Sequence, residues 1–192
     1  MKIIFLVSSL GAGGAERVAS TLCNEWVKQG HEVTLVATFS GGGAAFYPVS
    51  ALVNVIFLAD LVPTRRKSLS SYWQRLSALR KIISSNSADV VVSFLPNVNI
   101  AAILATAFTK IPVVISERRD PVSHPASGLW ELACTTFYRF ADVVVVQTDS
   151  VRHSIGASYP SLKQVVCIPN PLPQRIEQFL RDDIGKSRRV LV

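Results

Sequence analysis

Short apolar runs alternate with segments of helical periodicity along the whole chain, and this alternation restricts the fold more than any other feature. The apolar runs predict strands at residues 3–7, 33–37, 53–57, 90–94, 113–116, 143–147, 165–168 and 190–192. The intervening periodicity predicts helices at residues 15–29, 69–84, 98–108, 128–140 and 150–158. Strands joined through helices pair in parallel, so we predict an α/β fold, a Rossmann-like doubly wound parallel sheet with helices on both faces.

Length and composition exclude several classes of protein. A chain of 192 residues has the size of one ordinary domain, and its longest apolar stretch, residues 98–108, is too short for the roughly 20 residues that cross a bilayer. The opening segment continues without a break into a helix and a second strand, which argues against a secretory signal. We therefore predict a soluble or peripheral protein. The three cysteines, Cys23, Cys134 and Cys167, and the three histidines, His31, His124 and His153, do not have the spacing of metal ligands. We therefore predict that the protein has no metal site and no cofactor, and that its thiols are reduced.

The first strand runs into a glycine turn, Gly11 to Gly14, that opens the first helix. The first turn of a helix has unpaired backbone N–H groups and a partial positive charge, so this turn predicts an anion site formed by Gly13, Gly14, Glu16 and Arg17. Alternatively, the glycines only permit a tight turn. A nicotinamide site is disfavoured, because Glu16 stands where the third glycine belongs and the second strand ends without a carboxylate.

Polar residues also follow the later strands, and in a parallel sheet they would meet the glycine turn in one crevice. The richest segment is Ser116-Glu117-Arg118-Arg119-Asp120-Pro121. Its guanidinium groups can bind phosphate oxygens bidentately, and its carboxylates can accept sugar hydroxyls. The same segment could instead be a solvated loop with local ion pairs. Asn97 either contacts ligand in this crevice or caps the helix that follows.

The net charge of +7 predicts anionic partners, and part of it is concentrated around one predicted helix. Residues 65–83 contain six basic residues and no acidic one, beside an apolar stripe at positions 69, 72, 73, 76, 79 and 83. This composition predicts contact with an anionic membrane surface, although an ordinary helix packed on the sheet would have the same stripe. Nucleic acid is disfavoured, since no recognised motif is present. The predicted membrane-contacting residues are Arg65, Arg66, Lys67, Trp73, Arg75, Arg80 and Lys81.

A change of composition near residue 169 predicts a domain boundary. Three prolines within residues 169–173 forbid both helix and central strand, so residues 169–187 are predicted to form a linker and a short helix. Residues 188–192 repeat the basic-then-apolar form of the amino terminus. We expect them to begin a second domain that follows a first domain of residues 1–168.

The chain resembles the amino-terminal half of a family 4 glycosyltransferase with the two-domain GT-B architecture. The resemblance is carried by Gly13-Gly14-Ala15-Glu16-Arg17, Gly30-His31-Glu32-Val33, residues 116–121, residues 141–148 and Ile168-Pro169-Asn170-Pro171. It implies retaining transfer of a sugar from a nucleotide sugar, with the acceptor held mainly by this half and the donor mainly by the other.

The arginine-containing segment is similar to that of enzymes that extend polyprenyl-diphosphate-linked glycans at the cytoplasmic face of the membrane. By this resemblance, Gly13 and Gly14 approach a diphosphate, Glu16 and Arg17 lie at the crevice floor, and Arg118 with Arg119 binds acceptor phosphate or sugar. The Glu-x7-Glu donor motif of the second domain does not occur in these 192 residues. We therefore expect no catalysis from this chain alone. The alternatives are a non-catalytic sugar- or phosphate-binding module and a GT-B sugar-nucleotide epimerase or hydrolase.

Overall fold

A computed structural model describes residues 1–62, 69–121 and 128–171. Its centre is one seven-stranded sheet in which every strand pairs in parallel, in the order β3-β2-β1-β4-β5-β6-β7. The strands are β1 Lys2–Val7, β2 Glu32–Ala37, β3 Asn54–Phe57, β4 Val90–Phe94, β5 Val113–Ser116, β6 Val143–Val146 and β7 Val165–Cys167. The predicted Rossmann-like parallel sheet is confirmed.

Helices connect successive strands, except that a loop joins β2 to β3, because the parallel pairing requires each connection to return to the opposite edge of the sheet. They are α1 Gly14–Lys28, α2 Leu58–Leu61, α3 Leu69–Ser85, α4 Pro96–Thr106, α5 Leu129–Phe137 and α6 Asp149–Ser158, and a 3-10 helix at Tyr138–Phe140 follows α5. Each of these helices therefore runs from the carboxyl edge of the sheet towards its amino edge.

Two hydrophobic cores lie on the two faces of the sheet. Alternate residues of β1 pack in the two different cores. Phe5 faces α1, whereas Ile4 faces the layer of helices that includes α3 and α4. The α1 core includes Val18, Ala19 and Cys23, which are almost fully buried. The other core contains residues of α3, α4, α5 and α6. This two-sided covering explains why β1 and β2 are apolar in sequence nearly throughout.

The structure corrects several predicted element boundaries. The helix predicted at 98–108 begins two residues earlier, at Pro96, because proline suits the first helical turn, and it ends at Thr106, which leaves Phe108 outside it. The predicted helix at 128–140 is an α-helix only to Phe137 and tightens into the 3-10 helix. The short helix α2 was not predicted. The predicted segments at 172–187 and 190–192 lie outside the described residues.

The three cysteines are free thiols in this structure. Cys23 and Cys134 are buried and Cys167 is half-buried, and burial raises the pKa of Cys23 to about 12. Among the residues that the structure describes, no helix is long and apolar enough to cross a membrane.

The strand order reverses between β1 and β4. The chain leaves β1 towards β2 on one side, whereas β4 continues towards β5 on the other. In open parallel sheets, ligands bind in the crevice that forms at the carboxyl ends of the strands at such a reversal. The loop after β1, which contains the glycine turn, and the start of α4 after β4 therefore border the candidate site.

Candidate active site

The glycine turn lies at the reversal point, and the carboxylate of Glu16 is folded back over it. Glu16 is the third residue of α1, and its Oε1 accepts hydrogen bonds from the hydroxyls of Ser9 at 2.9 Å and Ser8 at 3.5 Å. A carboxylate in the first turn of a helix is stabilised by the helix dipole. The protein thus places an anion of its own at the helix amino terminus that the sequence predicts as an anion site.

This position of Glu16 explains the glycine at position 13. A Cβ atom built on Gly13 would lie 2.0 Å from Oε2 of Glu16, whereas a Cβ atom on Gly14 would meet no atom within 4 Å. Gly13 has extended backbone with φ −116°, so its conformation alone does not require glycine. Gly13 therefore makes room for Glu16, and Gly14 leaves open space at the start of α1.

Arg118, in the loop after β5, supplies the positive charge that faces this turn. Its guanidinium carbon lies 4.4 Å from the centroid of the Phe94 ring, and its Nη2 donates a hydrogen bond to Oδ1 of Asn170. Burial lowers the pKa of Arg118, the neighbouring Arg17 lowers it further, and the carboxylate of Glu16 raises it. Arg17 and Glu16 therefore both lie close enough to Arg118 for their charges to act on it.

Glu117 is directed away from the crevice, into the protein interior. Its side chain is 0% exposed, and its Oε2 accepts a hydrogen bond from the hydroxyl of Tyr138 at 2.8 Å. Its Oε1 accepts from the backbone N–H groups of Arg118 at 3.1 Å and Arg119 at 3.2 Å. Glu117 therefore holds the backbone of the loop after β5, residues 117–121, which we call the arginine loop. In this conformation its carboxylate does not face a ligand in the crevice.

A buried chain of hydrogen bonds extends from Glu117 to β4. Tyr138 accepts a hydrogen bond from Nδ2 of Asn99 at 3.3 Å, and the same Nδ2 donates to the Ser116 carbonyl at 3.1 Å. The hydroxyl of Ser93 donates to Oδ1 of Asn99 at 2.8 Å. Burial raises the pKa of Glu117, while the hydrogen bonds and the charge of Arg119 lower it by less. The network connects β4, α4 and the 3-10 helix beneath the arginine loop.

The two arginines of the loop point in different directions. The Nε atom of Arg119 lies 3.8 Å from Oε1 of Glu117, and Glu131 and Tyr159 are also close enough to affect its pKa. Burial lowers the pKa of Arg119, but Glu117 and its other neighbours outweigh burial and raise it. Arg119 therefore belongs to the interior network rather than to the crevice surface. Asp120 follows in the same loop and is half-buried.

The start of α4 is strained. Leu95 occupies the cap position of α4 with φ +77° and ψ 143°, a region that is costly for a residue with a side chain.

Asn97 is the second residue of α4, so the alternative in which Asn97 caps this helix is wrong. Its side chain lines an apolar groove between α3 and α4.

The groove has a volume of about 260 Å³ and opens beside the carboxyl end of β2. Arg75 lies in it, half-buried, and its Nη1 donates to the carbonyl of Thr38 at 3.2 Å. Exposed aromatic side chains from α3 and α5 border it. The lining residues include Thr38, Phe39, Tyr72, Trp73, Arg75, Asn97, Ile100 and Trp130.

The predicted membrane-contacting residues do not form a single group. Trp73 is 71% exposed, and Arg80 and Lys81 are exposed, whereas Arg75 is bonded to the end of β2. Leu79 and Ile83 pack in the core, so the predicted apolar stripe is buried at its carboxyl-terminal end but not at Trp73. Arg65, Arg66 and Lys67 lie outside the described residues.

Several residues of the site were not predicted. Tyr138 lies within a helical segment, and nothing in the sequence there indicates its buried hydrogen bond to Glu117. Ser8 and Ser9 directly follow a predicted strand, which is a position that sequence reasoning could have examined. Within the described part of the chain, no three His, Cys, Asp or Glu residues cluster as metal ligands do.

Comparisons with known proteins identify the family. The sequence profile described as Glycosyltransferase Family 4 matches residues 12–173, which include Gly13, Gly14 and the arginine loop. This chain belongs to glycosyltransferase family 4. The expected GT-B relationship is also confirmed, because the solved structures that it resembles include GT-B glycosyltransferases.

Two curated glycosyltransferases are similar in sequence to this chain over part of their length. An α-1,4-N-acetylgalactosaminyltransferase of Campylobacter jejuni, named for an undecaprenol-PP-linked glycan, is 33% identical over 147 residues, covering 76% of this chain and 40% of the relative. An uncharacterised glycosyltransferase of Methanocaldococcus jannaschii is 25% identical over 129 residues, covering 60% of this chain and 32% of the relative. This family 4 chain thus spans less than half the length of these curated relatives.

Solved structures agree in fold. Sucrose-phosphate synthase from Thermosynechococcus elongatus superimposes with a TM-score of 0.73 at 13% identity, covering 97% of this chain and 53% of the synthase. UDP-N-acetylglucosamine 2-epimerase from Rickettsia bellii gives a TM-score of 0.63 at 16% identity, covering 98% of this chain and 49% of the epimerase. At such identities the likeness concerns the fold of this family 4 chain alone, and it does not distinguish transfer from epimerisation.

Proposed function

We propose that residues 1–168 are the acceptor-binding domain of a retaining glycosyltransferase that moves a sugar from a nucleotide sugar to a polyprenyl-diphosphate-linked glycan. Family membership and the lipid-linked substrate in the name of the C. jejuni relative support this proposal. The observation that carries it is the position of Arg118, which lies over the Phe94 ring at the end of β4 and close to Arg17 and Glu16 at the reversal point of the sheet. A diphosphate matches the charge of Arg118, because guanidinium groups bind phosphate oxygens bidentately.

The residues of the site take different parts in this proposal. Arg118 and Arg17 contact the acceptor phosphate, and Glu16 orients Arg118 while accepting the hydroxyls of Ser8 and Ser9. Gly14 leaves space for the diphosphate to approach the helix. Asn97 and Asp120 contact the acceptor glycan, and Arg119 with Glu117 positions the loop from below.

The chemistry of transfer requires charge stabilisation on the departing nucleoside diphosphate, which fixed cations and helix dipoles supply. In our proposal most of these groups belong to a donor-binding domain that follows the linker at 169–187 and begins near residue 188. The polypeptide of residues 1–192 is therefore expected to bind acceptor but to transfer no sugar.

The enzyme is proposed to work at the cytoplasmic face of the plasma membrane, where its lipid-linked acceptor would be found. Trp73, Arg80 and Lys81 on α3 are exposed and can contact an anionic surface. Arg75 is left out of this contact, because it donates to Thr38. Arg65, Arg66 and Lys67 remain part of the proposal by composition alone.

A kinetic comparison of the full-length protein tests the assignment of Arg118. With a polyprenyl-diphosphate-linked acceptor, Arg118→Gln is expected to raise KM for the acceptor at least about tenfold, the loss of one charge-assisted hydrogen bond. Lys28→Gln removes an exposed cation at the far end of α1 and should leave KM unchanged. An unchanged KM in Arg118→Gln contradicts the phosphate-binding role. Conversion of the nucleotide sugar to its epimer without acceptor contradicts transfer altogether.

A further inference from the structure

Asn170 connects the described start of the predicted linker, residues 169–171, with the arginine loop. Its Oδ1 accepts a hydrogen bond from Nη2 of Arg118, 52 positions earlier in the chain. Strand β7 ends at Cys167, and the N–H of Ile168 donates to the carbonyl of Val146 at 2.8 Å, so the chain still follows β6 two residues before Asn170. Asn170 therefore lies at the carboxyl edge of the sheet, beside the crevice.

Two prolines restrict the backbone around Asn170. Pro169 precedes it and Pro171 follows it. The proline ring fixes φ, and a residue that precedes proline is disfavoured in the helical region, so Asn170 has less conformational freedom than a residue in an ordinary linker. Proline also has no N–H group, so neither neighbour offers a backbone donor that competes with Arg118 for the amide oxygen.

The guanidinium group of Arg118 is contacted on one face and at one edge. The Phe94 ring, which is 5% exposed at the end of β4, lies 4.4 Å from the guanidinium carbon. Asn170 accepts a hydrogen bond from one of the N–H groups, all of which lie in the plane of the guanidinium. Together, Phe94 and Asn170 set the orientation of this plane, and the bond to Asn170 uses one of its several donors.

An asparagine suits this contact because its amide is neutral. A long side chain that a ligand must first order binds that ligand more weakly, so a prior contact that orders Arg118 favours binding. A carboxylate at position 170 would also order Arg118, but it would cancel the positive charge that an anion requires. Asn170 can thus hold the guanidinium group while leaving its charge available.

From these observations we propose that Asn170 is a positioning residue, which holds the guanidinium group of Arg118 in the orientation that binds the diphosphate of the acceptor. This inference rests on the proposed function, which assigns the acceptor phosphate to Arg118. The acceptor site then includes the start of the linker. Its functional boundary lies beyond residue 168, where the sheet domain ends.

Titration calorimetry of the 192-residue chain with inorganic pyrophosphate tests the role of Asn170. Asn170→Ala is expected to raise the Kd about fivefold, because the ligand must then order Arg118 itself. Asn170→Asp should raise the Kd further, at least about tenfold, since its carboxylate pairs with Arg118 and repels the anion. Asn54→Ala is the matched control and should bind like the wild type. Asn54 is also exposed, and its side chain donates to Oγ1 of Thr34 at the amino end of β3.

Two further measurements separate positioning from a general structural effect. In an Arg118→Gln background the group that Asn170 positions is absent, so Asn170→Ala should no longer change the Kd. In the full-length protein, Asn170→Ala should raise KM for a polyprenyl-diphosphate-linked acceptor about fivefold and leave kcat unchanged, whereas damage to the fold or to the linker would lower kcat.

The possible outcomes distinguish this inference from the proposed function. If Arg118→Gln weakens pyrophosphate binding but Asn170→Ala does not, only the role of Asn170 is wrong. An equal effect of Asn170→Ala in both backgrounds, tighter binding by Asn170→Asp, or a lowered kcat with unchanged KM would also overturn it. If the wild type and Arg118→Gln bind pyrophosphate equally, or neither binds it, the phosphate site of the proposed function is wrong, and the role of Asn170 is overturned with it.

Discussion

The hydroxyl of Tyr138 donates a hydrogen bond of 2.8 Å to the carboxylate of Glu117, and both side chains are fully buried. This pair joins the 3-10 helix after α5 to the loop after β5. The same carboxylate accepts from the N–H groups of Arg118 and Arg119, so the position of the crevice arginine depends on a side chain in the interior. A local disturbance at Tyr138 should therefore affect both stability and the crevice.

Removing the hydroxyl in Tyr138→Phe is expected to destabilise the protein by about 1–3 kcal/mol. The substitution leaves Oε2 of Glu117 without its donor and removes one of the two acceptors of the Asn99 Nδ2 group, and buried polar groups that lose their partners cost this much. Denaturant unfolding measures the change. The exposed Tyr72 provides the control, because Tyr72→Phe should alter the free energy of unfolding by no more than about 0.5 kcal/mol. Equal effects of the two substitutions would show that the Tyr138 hydroxyl is not needed.

The buried carboxyl of Glu117 also predicts a pH dependence of stability. Burial raises the pKa of Glu117 in the folded protein above its value in the unfolded chain, so the folded state keeps this proton to a higher pH. The resulting stabilisation is complete below the unfolded pKa of about 4.3 and is lost as the pH rises through the folded pKa. We therefore expect the free energy of unfolding of the wild type to fall relative to that of Glu117→Gln as the pH is raised from about 4.

Chemical unfolding of both proteins across this range gives the difference directly, and titration of all other groups cancels in it. Glu25→Gln serves as the reference substitution, since Glu25 is a surface carboxylate paired with Lys28. A wild-type minus Glu117→Gln difference that stays constant with pH would be incompatible with a raised pKa for Glu117.

Alanine substitutions at the adjacent glycines Gly13 and Gly14 should change the free energy of unfolding in opposite directions. Gly14→Ala places its Cβ in open space at the start of α1 and is expected to stabilise the protein by about 0.5–1 kcal/mol. Gly13→Ala displaces the Glu16 carboxylate and breaks its hydrogen bond with Ser9, at a cost of about 0.5–1.5 kcal/mol, the net value of one hydrogen bond.

A double-mutant cycle identifies the cause of the Gly13 effect. In a Glu16→Ala background the clash no longer exists, so Gly13→Ala should cost much less there than in the wild type. If the cost is the same in both backgrounds, Glu16 is not the reason for glycine at position 13.

The sequence predicts the strands of this fold well because each is a short, mostly apolar run, and β1 and β2 are buried nearly throughout as strands inside a parallel sheet are. It also brings Arg118 and the glycine turn to one crevice, since the carboxyl ends of parallel strands share an edge. It cannot show that Glu117 points inward while Arg118 points outward, because neighbouring loop residues have no periodicity that separates the two directions. Tyr138 escapes prediction for a related reason, since its partner lies 21 positions away in the chain.

At position 95, the protein with glycine should be more stable than the protein with alanine, which is the reverse of the usual order. The Leu95 φ of +77° with ψ 143° costs about 1–3 kcal/mol for any residue that has a Cβ atom. Both substitutions remove the same packing, but only Leu95→Gly also removes the strain, and glycine's extra loss of chain entropy offsets up to about 1 kcal/mol of that gain. We therefore expect Leu95→Gly to exceed Leu95→Ala in free energy of unfolding by about 1 kcal/mol, measured by denaturant titration. A higher stability of Leu95→Ala would mean that the backbone at the start of α4 is not strained.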